Sequence, residues 1–563
     1  MTLRKFYFKH AFRRLHRYRH ITGVLMKYGL EEAAEAVRLR YSMSFKGKAS
    51  EQEKKAVSHK SRPERFRMAL EELGPTFIKF GQLLSTRPDL IPPEYVNELE
   101  NLQDRVAPEK TEDVFDELEQ QLGGKVDDIF IDFDRTPIAA GSIAQVYRAS
   151  IASGEQVVVK VRRPKITETI GTECEILEDI AGLLKATMFG KDSINPKKIV
   201  AEFTEAVSKE VNMETEKKNQ LRFLRNFKEN PEIHIPEIYE DYCSEAVLTM
   251  EYIDGIKPSD IEAIKNAGLD PKLIAKRGAN FVMQQIFDLG FFHADPHPGN
   301  FFLIADNVLV PIDYGQTATL SSLDRELLKQ LILAIIDNSA DQLIRTLERA
   351  ELIPENTDEN ILRRDIESIL DTHYALPLKD ISIGQVIMQT FDVIRKHNIN
   401  TPPQFTLMLK SLMTIESFAK TLDPQFNIID NLSPFAKKLT SPFTDPKQMV
   451  KNFRNAANDM GRMASHLPDD LNTIISKFRQ GNFQLKVHHE HLENLTHTLD
   501  KSSNRISFAL IIAALLVGSS IVISQKSDIF GIVTLQTLGI IGYLTAAVIG
   551  IWLLISIIRS KHY

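Results

Sequence analysis

The sequence predicts an α+β fold: a helical extension, a small mixed α/β lobe, a larger helical lobe and a C-terminal two-helix transmembrane hairpin. Three observations predict it. Short β-branched runs fall within residues 126–160 and 233–253, separated by helical periodicity over 165–228. Helical periodicity then covers most of 258–440. Near the C-terminus two long stretches carry no charge at all. The 563 residues exceed what one ordinary domain needs, so several units are expected.

Residues 1–60 form a basic N-terminal region. The first 30 residues hold eight basic side chains (Arg4, Lys5, Lys9, Arg13, Arg14, Arg17, Arg19, Lys27) and no acid. Phe8, Phe12, Leu15, Tyr18, Ile21 and Leu25 recur at helical spacing, so an amphipathic helix is expected. Such a helix suits an anionic membrane surface as a partner; an ordinary surface helix has the same pattern. No uninterrupted apolar run follows the charges, which argues against a cleaved signal peptide, while an Arg-rich, acid-free transit peptide stays open.

Residues 61–130 read as a helical extension, 131–255 as a β-containing lobe with inserted helices, and 256–440 as a helical lobe. Within the last, Ser321 with Asp324 opens an apolar-periodic run from Leu327 to Ile336. Residues 441–505, entered through Ser441-Pro442-Phe443-Thr444-Asp445-Pro446, read as a polar, helix-compatible linker. Residues 506–558 form the hairpin. The uncharged stretches 506–524 and 529–558 can each cross a core of ~30 Å at ~1.5 Å per residue. Ala514/Gly518 and Ala546/Gly550 are small pairs that would let the two helices approach. Lys501 and Arg505 precede the first span, and Arg559 and Lys561 follow the second, across the short loop Gln525–Asp528. The positive-inside tendency then places both ends in the cytoplasm: a multi-pass protein of a bacterial cytoplasmic (inner) membrane, its soluble part facing the cytoplasm. A buried core hairpin is the competing reading.

The overall charge, 69 Lys+Arg against 75 Asp+Glu for a net −6, does not favour nucleic acid as a partner. Two cysteines, Cys174 and Cys243, make neither a disulfide framework nor a cysteine zinc site. No G-x-G-x-x-G strand-turn-helix run is present, so redox chemistry on a dinucleotide has no support.

The chemistry-bearing residues follow a fixed order. Ala139-Ala140-Gly141-Ser142-Ile143-Ala144-Gln145-Val146 has the frame of the kinase loop G-x-G-x-x-G-x-V, with Ala139, Gly141 and Ala144 in the Gly slots. Small residues there let backbone N–H groups approach phosphate. Val157-Val158-Val159-Lys160 ends a β-branched run on an ammonium, as the kinase V-A-I-K motif does. Leu248 to Gly255 reads as a strand entering a lobe connector, where backbone groups near Glu251 and Ile253 could pair with an adenine edge. His293-Ala294-Asp295-Pro296-His297-Pro298-Gly299-Asn300 places Asp295 and Asn300 at the D-x-x-x-x-N spacing of a kinase catalytic loop. Asp313-Tyr314-Gly315 then follows a β-like run. Asn300 and Asp313 are hard oxygen ligands suited to Mg²⁺ with ATP, and Asp295 is the candidate base or orienter. A His/Asp metal cluster at His293 and His297 is the competing reading, disfavoured because Pro296 and Pro298 keep the stretch off a helix face. The chain enters a helix within about ten residues of Gly315 and shows no A-P-E, so the peptide platform of protein kinases is absent or replaced. The fold expected is therefore protein-kinase-like, in two lobes.

These residues, with Gly74-Pro75-Thr76-Phe77-Ile78-Lys79-Phe80-Gly81-Gln82 and Ser85-Thr86-Arg87-Pro88-Asp89-Leu90, resemble the UbiB/AarF/ADCK family of atypical kinase-like proteins and its KxGQ signature. The resemblance covers roughly residues 60–330. It implies that Lys79 and Gln82 lie on a helix folded over the nucleotide site, obstructing a protein substrate. It implies that Glu210 begins the family's ExD motif, and that Glu216 is the glutamate able to pair with Lys160. Lys160, Asp295, Asn300 and Asp313 would handle ATP and Mg²⁺. Two departures stand out. Glu210-Val211-Asn212 has an amide in place of the second carboxylate, which weakens an ion-pair role there and the hold on Lys79. Gly141 stands where many relatives have alanine, permitting closer approach to phosphate. The resemblance implies an ATPase or unorthodox kinase in ubiquinone biosynthesis. Its partners would be a quinone precursor or other isoprenoid lipid and other quinone-biosynthesis enzymes. A nucleotide-gated lipid-binding scaffold of the pseudokinase kind, and a small-molecule kinase, are the alternatives.

Overall fold

The computed structural model describes residues 16–30, 59–102, 109–183, 195–374, 382–429, 431–432, 434–435, 492–523, 528–529 and 533–559. The chain divides into two units, Met1–Thr444 and Asp445–Tyr563. Arg4, Lys5, Phe8, Lys9, Phe12, Arg13, Arg14 and Leu15, most of the 441–505 linker, and Lys561 lie outside the described residues.

The first unit begins with helix α1 (16–27). Two readings were open, a helix laid on an anionic membrane surface and an ordinary surface helix with a solvated charged face. Tyr18, Ile21, Val24 and Leu25 are buried in a core shared with the helices that follow, as the second reading has it: α2 (Arg62–Leu73), α3 (Pro75–Ser85) and α4 (Pro93–Leu99). Two of its basic residues are also used internally, Arg17 against Glu173 at 2.5 Å and Lys27 against Glu72 at 2.6 Å. Within the described residues this face is therefore unavailable to lipid. The physical reason is that periodicity identifies an apolar stripe without saying what covers it.

Helix α5 (Thr111–Leu122) precedes a short helical turn at Val126–Ile129, where strand had been expected, and then the sheet. Strands β1 (Asp132–Phe133), β2 (Ala139–Ala140), β3 (Ala144–Ser150), β4 (Gln156–Arg162) and β5 (Val247–Glu251) are antiparallel in the order β1-β3-β4-β5, with β2 on β3. The two-residue period of β4 sends Val157, Val159 and Val161 into a core with Val114, Phe115 and Leu118 of α5, and turns Lys160 to the opposite face. Three helices are inserted between β4 and β5, namely α6 (Ile166–Leu183), α7 (Pro196–Val211) and α8 (Met213–Phe227).

The second lobe is helical around one core: α9 (Ile261–Asn266), α10 (Pro271–Met283), α11 (Ser322–Ile336), α12 (Ala340–Arg349), α13 (Glu359–Tyr374), α14 (Ile383–His397) and α15 (Pro403–Leu422). The capping box at Ser321 and Asp324 is formed as expected. Helix gives way over 291–319 to two short antiparallel pairs, which include the β-like run expected at 308–312. Strand β6 (Phe291–His293) pairs with β9 (Thr317–Thr319), and β7 (Phe301–Ile304) with β8 (Val308–Pro311). The β7–β8 turn is made by Asp306 and Asn307 at φ 60° and 59°, residue types that tolerate the left-handed region. The links between these strands carry Asp295, Asn300 and Asp313.

In the second unit, helices α16 (Leu492–Ile523) and α17 (Leu535–Arg559) pack on each other around the antiparallel pair β10 (Asp528–Ile529) and β11 (Val533–Thr534). Ile506–Ile523 is long and apolar enough to cross a membrane, and Gly539–Ile551 is a shorter apolar run among the described residues. The seam differs from expectation. Ala514 and Gly518 are exposed and Gly550 has nothing near its Cβ position, whereas Gly539 and Gly542 face Ser519 and Ile523, with Ala546 and Ser519 buried.

Candidate functional site

Lys160 emerges from β4 opposite its valines, and Glu216 lies in the first turn of α8. The two meet at 2.7 and 2.9 Å through both carboxylate oxygens. Helix α8 is aimed by Asn212, whose side chain accepts from Glu214 N at 2.9 Å. The amide in the third position of Glu210-Val211-Asn212 is thus the N-cap of the helix that carries Glu216. That capping role was not read from the sequence; an Asn just before an acidic first turn was the available signal.

The helix also grips the Asp313 segment. Asn219 Nδ2 donates to the Tyr314 carbonyl at 2.9 Å, and Tyr314 is fully buried. One oxygen of Asp313 accepts from Gly315 N at 2.9 Å. Ile312 N donates to the Asn300 carbonyl at 3.0 Å, and Asn300 Nδ2 donates to the Asp295 carbonyl at 3.0 Å. Asp295, Asn300 and Asp313 are therefore brought together, and Lys160 acts on Asp313 electrostatically. His293 is buried, and its Nδ1 accepts from Asp295 N at 3.0 Å, which places the proton of the neutral ring on Nε2. His297 is exposed and its Nδ1 accepts from Gly299 N at 3.1 Å, so it shapes the turn.

Burial works against charge at this site, and the pairing overcomes it. Burial opposes the Lys160 ammonium, but the carboxylates of Glu216, Asp313 and Glu210 outweigh it and raise its pKa above the ordinary lysine value. Burial also tends to raise Asp313, yet Lys160, the Gly315 N–H, His293 and Lys79 hold it below the usual carboxylate range. Burial pushes His293 below the ordinary histidine value, against the charges of Asp313 and Asp295.

A helix closes over this network. Lys79 on α3 reaches Glu210 at the end of α7 at 2.6 Å. A Cβ placed on Gly315 would lie 3.2 Å from Asp313 Oδ1 and 4.0 Å from both Glu210 Cγ and Glu216 Oε2, so this pair stands directly against the Asp313 segment. Gln82, on the same helix, donates to the Leu102 carbonyl at 3.3 Å. The loop after α3 is held by Arg87, buried between Asp89 at 2.8 Å and Glu202. Lys79 meets Glu210 with an amide, not a carboxylate, at position 212.

The loop residues depart from an open phosphate cradle. Ala139 and Ala140 pair with Val146 and Gln145, and Gly141 N donates to Ala144 O at 2.9 Å, giving a tight hairpin. Ser142, Ile143, Ala144 and Gln145 are buried, and Ile143 and Ala144 join the core of the helical extension. The exposed part of the loop is Ala139, with Ala140, Gly141 and Val146 half-buried. At the lobe connector, the backbone N–H of Glu251 is committed to Glu237 O at 2.9 Å, so only its carbonyl can serve an adenine edge; Ile253 lies beyond the strand end.

Comparisons with known proteins bear on the family. The ABC1 atypical kinase-like domain matches residues 101–347, the UbiB helical domain 366–427 and the ABC1/UbiB kinase-like C-terminal domain 490–559. The chain is 32% identical to an uncharacterized protein in the hydrogenase 1 5′ region of Clostridium pasteurianum, over 90% of this chain and 95% of that one. It is 31% identical to the probable protein kinase UbiB of Aliivibrio fischeri, over 93% and 96% respectively. Among solved structures, the Rv3197–erythromycin complex from Mycobacterium tuberculosis covers 65% of this chain and 92% of its own, at 24% identity and a TM-score of 0.45. By these relatives and by the two-lobed, kinase-like arrangement of its conserved-type motifs, the chain belongs to the UbiB/ABC1 family of atypical kinase-like proteins.

Proposed function

We propose that this chain binds ATP with Mg²⁺ between its lobes and acts as a membrane-anchored, kinase-like ATPase supporting the biosynthesis of ubiquinone or a related polyprenyl quinone. One observation carries the reading: the Lys160–Glu216 pair, Asp313 and the Asp295–Asn300 loop converge under the Lys79–Glu210 pair. The donor set fits the ion. Asn300 spends its N–H on Asp295 and keeps its acceptor end, while Asp313 spends one oxygen on Gly315 and keeps the other. A carboxylate and an amide oxygen are what Mg²⁺ takes from protein when phosphates complete its shell. Bound Mg²⁺–ATP supplies a terminal phosphoryl group whose charge is neutralised for transfer or hydrolysis.

In this reading Lys160 holds the inner phosphates, and the tight hairpin from Ala139 to Val146 covers the same side. Asp295 orients the attacking oxygen and accepts its proton. The Glu251 carbonyl and the Ile253 N–H hold the adenine edge. Lys79 and Gln82, on the helix over the site, keep a polypeptide acceptor out, which favours a small or lipidic acceptor or water. The apolar helix Ile506–Ile523, with its partner α17, supports a hairpin anchor in a bacterial cytoplasmic membrane, where an isoprenoid quinone precursor resides.

The test is quinone profiling by mass spectrometry in a deletion strain complemented with wild type or Asp313→Asn, paired with phosphate release by the purified proteins. An early precursor that only the wild type clears, with hydrolysis lost in the variant, supports the reading. Unchanged hydrolysis in Asp313→Asn rejects the site assignment. The closed Lys79–Glu210 pair favours one second reading, a nucleotide-gated lipid-binding scaffold: ATP-dependent lipid binding without phosphate release would select it.

A further inference from the structure

The site holds more acid than base. Glu210, Glu216, Asp295 and Asp313 meet there, and the facing lysines, Lys79 and Lys160, are already held by Glu210 and Glu216. His297, between Asp295 and Asn300, is turned onto Gly299 N. A nucleotide adds several negative charges, so a further cation on the Asp295 side would be needed to receive its far end.

Such a cation comes from an element without any recognised motif. Lys410 lies on α15, one residue before Ser411, whose hydroxyl donates to the His293 carbonyl at 3.0 Å. That bond, two residues from Asp295, fixes α15 against the catalytic-type loop. The Lys410 side chain is half-buried; burial works against its charge, and Asp295 and Glu100, at the end of α4, both act to keep it charged. Among the described residues it makes no direct ion pair or hydrogen bond. A half-buried ammonium in the field of two acids but bonded to neither is poised for an anion.

We propose that Lys410 binds the terminal phosphoryl group of the nucleotide beside Asp295, making α15 of the helical lobe a third wall of the phosphate site. The inference rests on the nucleotide reading given above. It is tested by calorimetric titration of the full chain in nanodiscs with Mg-ATP and with Mg-ADP. Lys410→Met is expected to weaken ATP about tenfold and ADP less than about twofold, and Lys410→Arg to restore ATP to within about threefold. Equal weakening of both nucleotides, or of neither, overturns the inference. Should Lys410→Met not fold, Glu100→Gln carries the test. Freed of a competing carboxylate, Lys410 then raises the preference for ATP over ADP about twofold or more, and an unchanged preference overturns the proposal. No heat from either nucleotide on the wild type overturns the nucleotide reading itself, a result distinct from the other two.

Discussion

Lys79 and Glu210 are 131 residues apart in sequence and 2.6 Å apart in space, Nζ to Oε1. The pair joins the helix over the site to the helix that leads into α8, and it stands against Gly315. Its side chains are mostly buried, so removing one partner leaves the other poorly solvated. Lys79→Met strands Glu210 beside Glu216 and Asp313, and it is expected to cost more stability than Glu210→Gln. A double-mutant cycle by chemical denaturation should give a coupling of about 1–2 kcal/mol, with Lys79→Met the worse single variant. A coupling of zero would show that the helix is held by packing alone.

Lys160 and Glu216 form the deeper pair. Lys160→Met leaves Glu216 and Asp313 as neighbouring carboxylates without their cation. A loss of about 3 kcal/mol or more is expected, together with loss of nucleotide-induced thermal stabilisation. Adding Glu216→Gln should recover part of the stability and none of the nucleotide response. Full recovery of that response would remove Lys160 from the site.

Asn212 is replaceable by the residue it departs from. Aspartate is as good an N-cap as asparagine and complements the helix dipole. Asn212→Asp is expected to stay within about 0.5 kcal/mol of wild type, and Asn212→Ala to lose about 1 kcal/mol. The Lys79–Glu210 coupling should survive the first change, since Glu210 meets Lys79 with the amide in place. A large gain in that coupling in Asn212→Asp would show that the amide had weakened the clasp.

Asp324 gives a pH signature. Burial tends to raise it, but the Ser321 hydroxyl and N–H and the Gln404 amide hold it below the ordinary carboxylate value of 3.8. A depressed folded value means that its contribution is complete above about pH 4 and is lost as pH falls through the folded value. Thermal melts from pH 6 to 3 should show a steeper acid loss in wild type than in Asp324→Asn, which cannot titrate. Parallel curves would show that the cap does not depend on the charge.

The helix seam of the second unit predicts a cross-link. Ser519 faces Gly542, whereas Gly518 and Gly550 have nothing beside them. Oxidation should join Ser519→Cys to Gly542→Cys in membranes, and leave the Gly518→Cys and Gly550→Cys pair open. The reverse pattern would restore the small pairs read from the sequence.

Much of the fold and site was legible in contiguous residues. The His293–Asn300 and Asp313–Gly315 stretches, the β-branched run ending at Lys160 and the Lys79–Gln82 helix each carry their spacing within a few positions. Local spacing is what backbone geometry converts directly into side-chain direction. The resemblance supplied the distant partners, Glu210 and Glu216, that spacing could not. Within the lobe read as mostly helical, the β-like run at 308–312 was legible as β8, whereas β6, β7 and β9 were not, since strands of three or four residues carry little periodicity.

By itself, then, the sequence determined which side chains could do chemistry and in what order they occur, because those choices are written in local pattern. Tertiary structure alone decided what covers the apolar face of α1, which small residues form the α16–α17 seam, and that α15 meets the Asp295 loop through Ser411 and His293. Lipid, water-exposed neighbours and protein core select the same apolar spacing. Only packing distinguishes among them, and only packing brings a charge from a distant helix into the field of a half-buried acid.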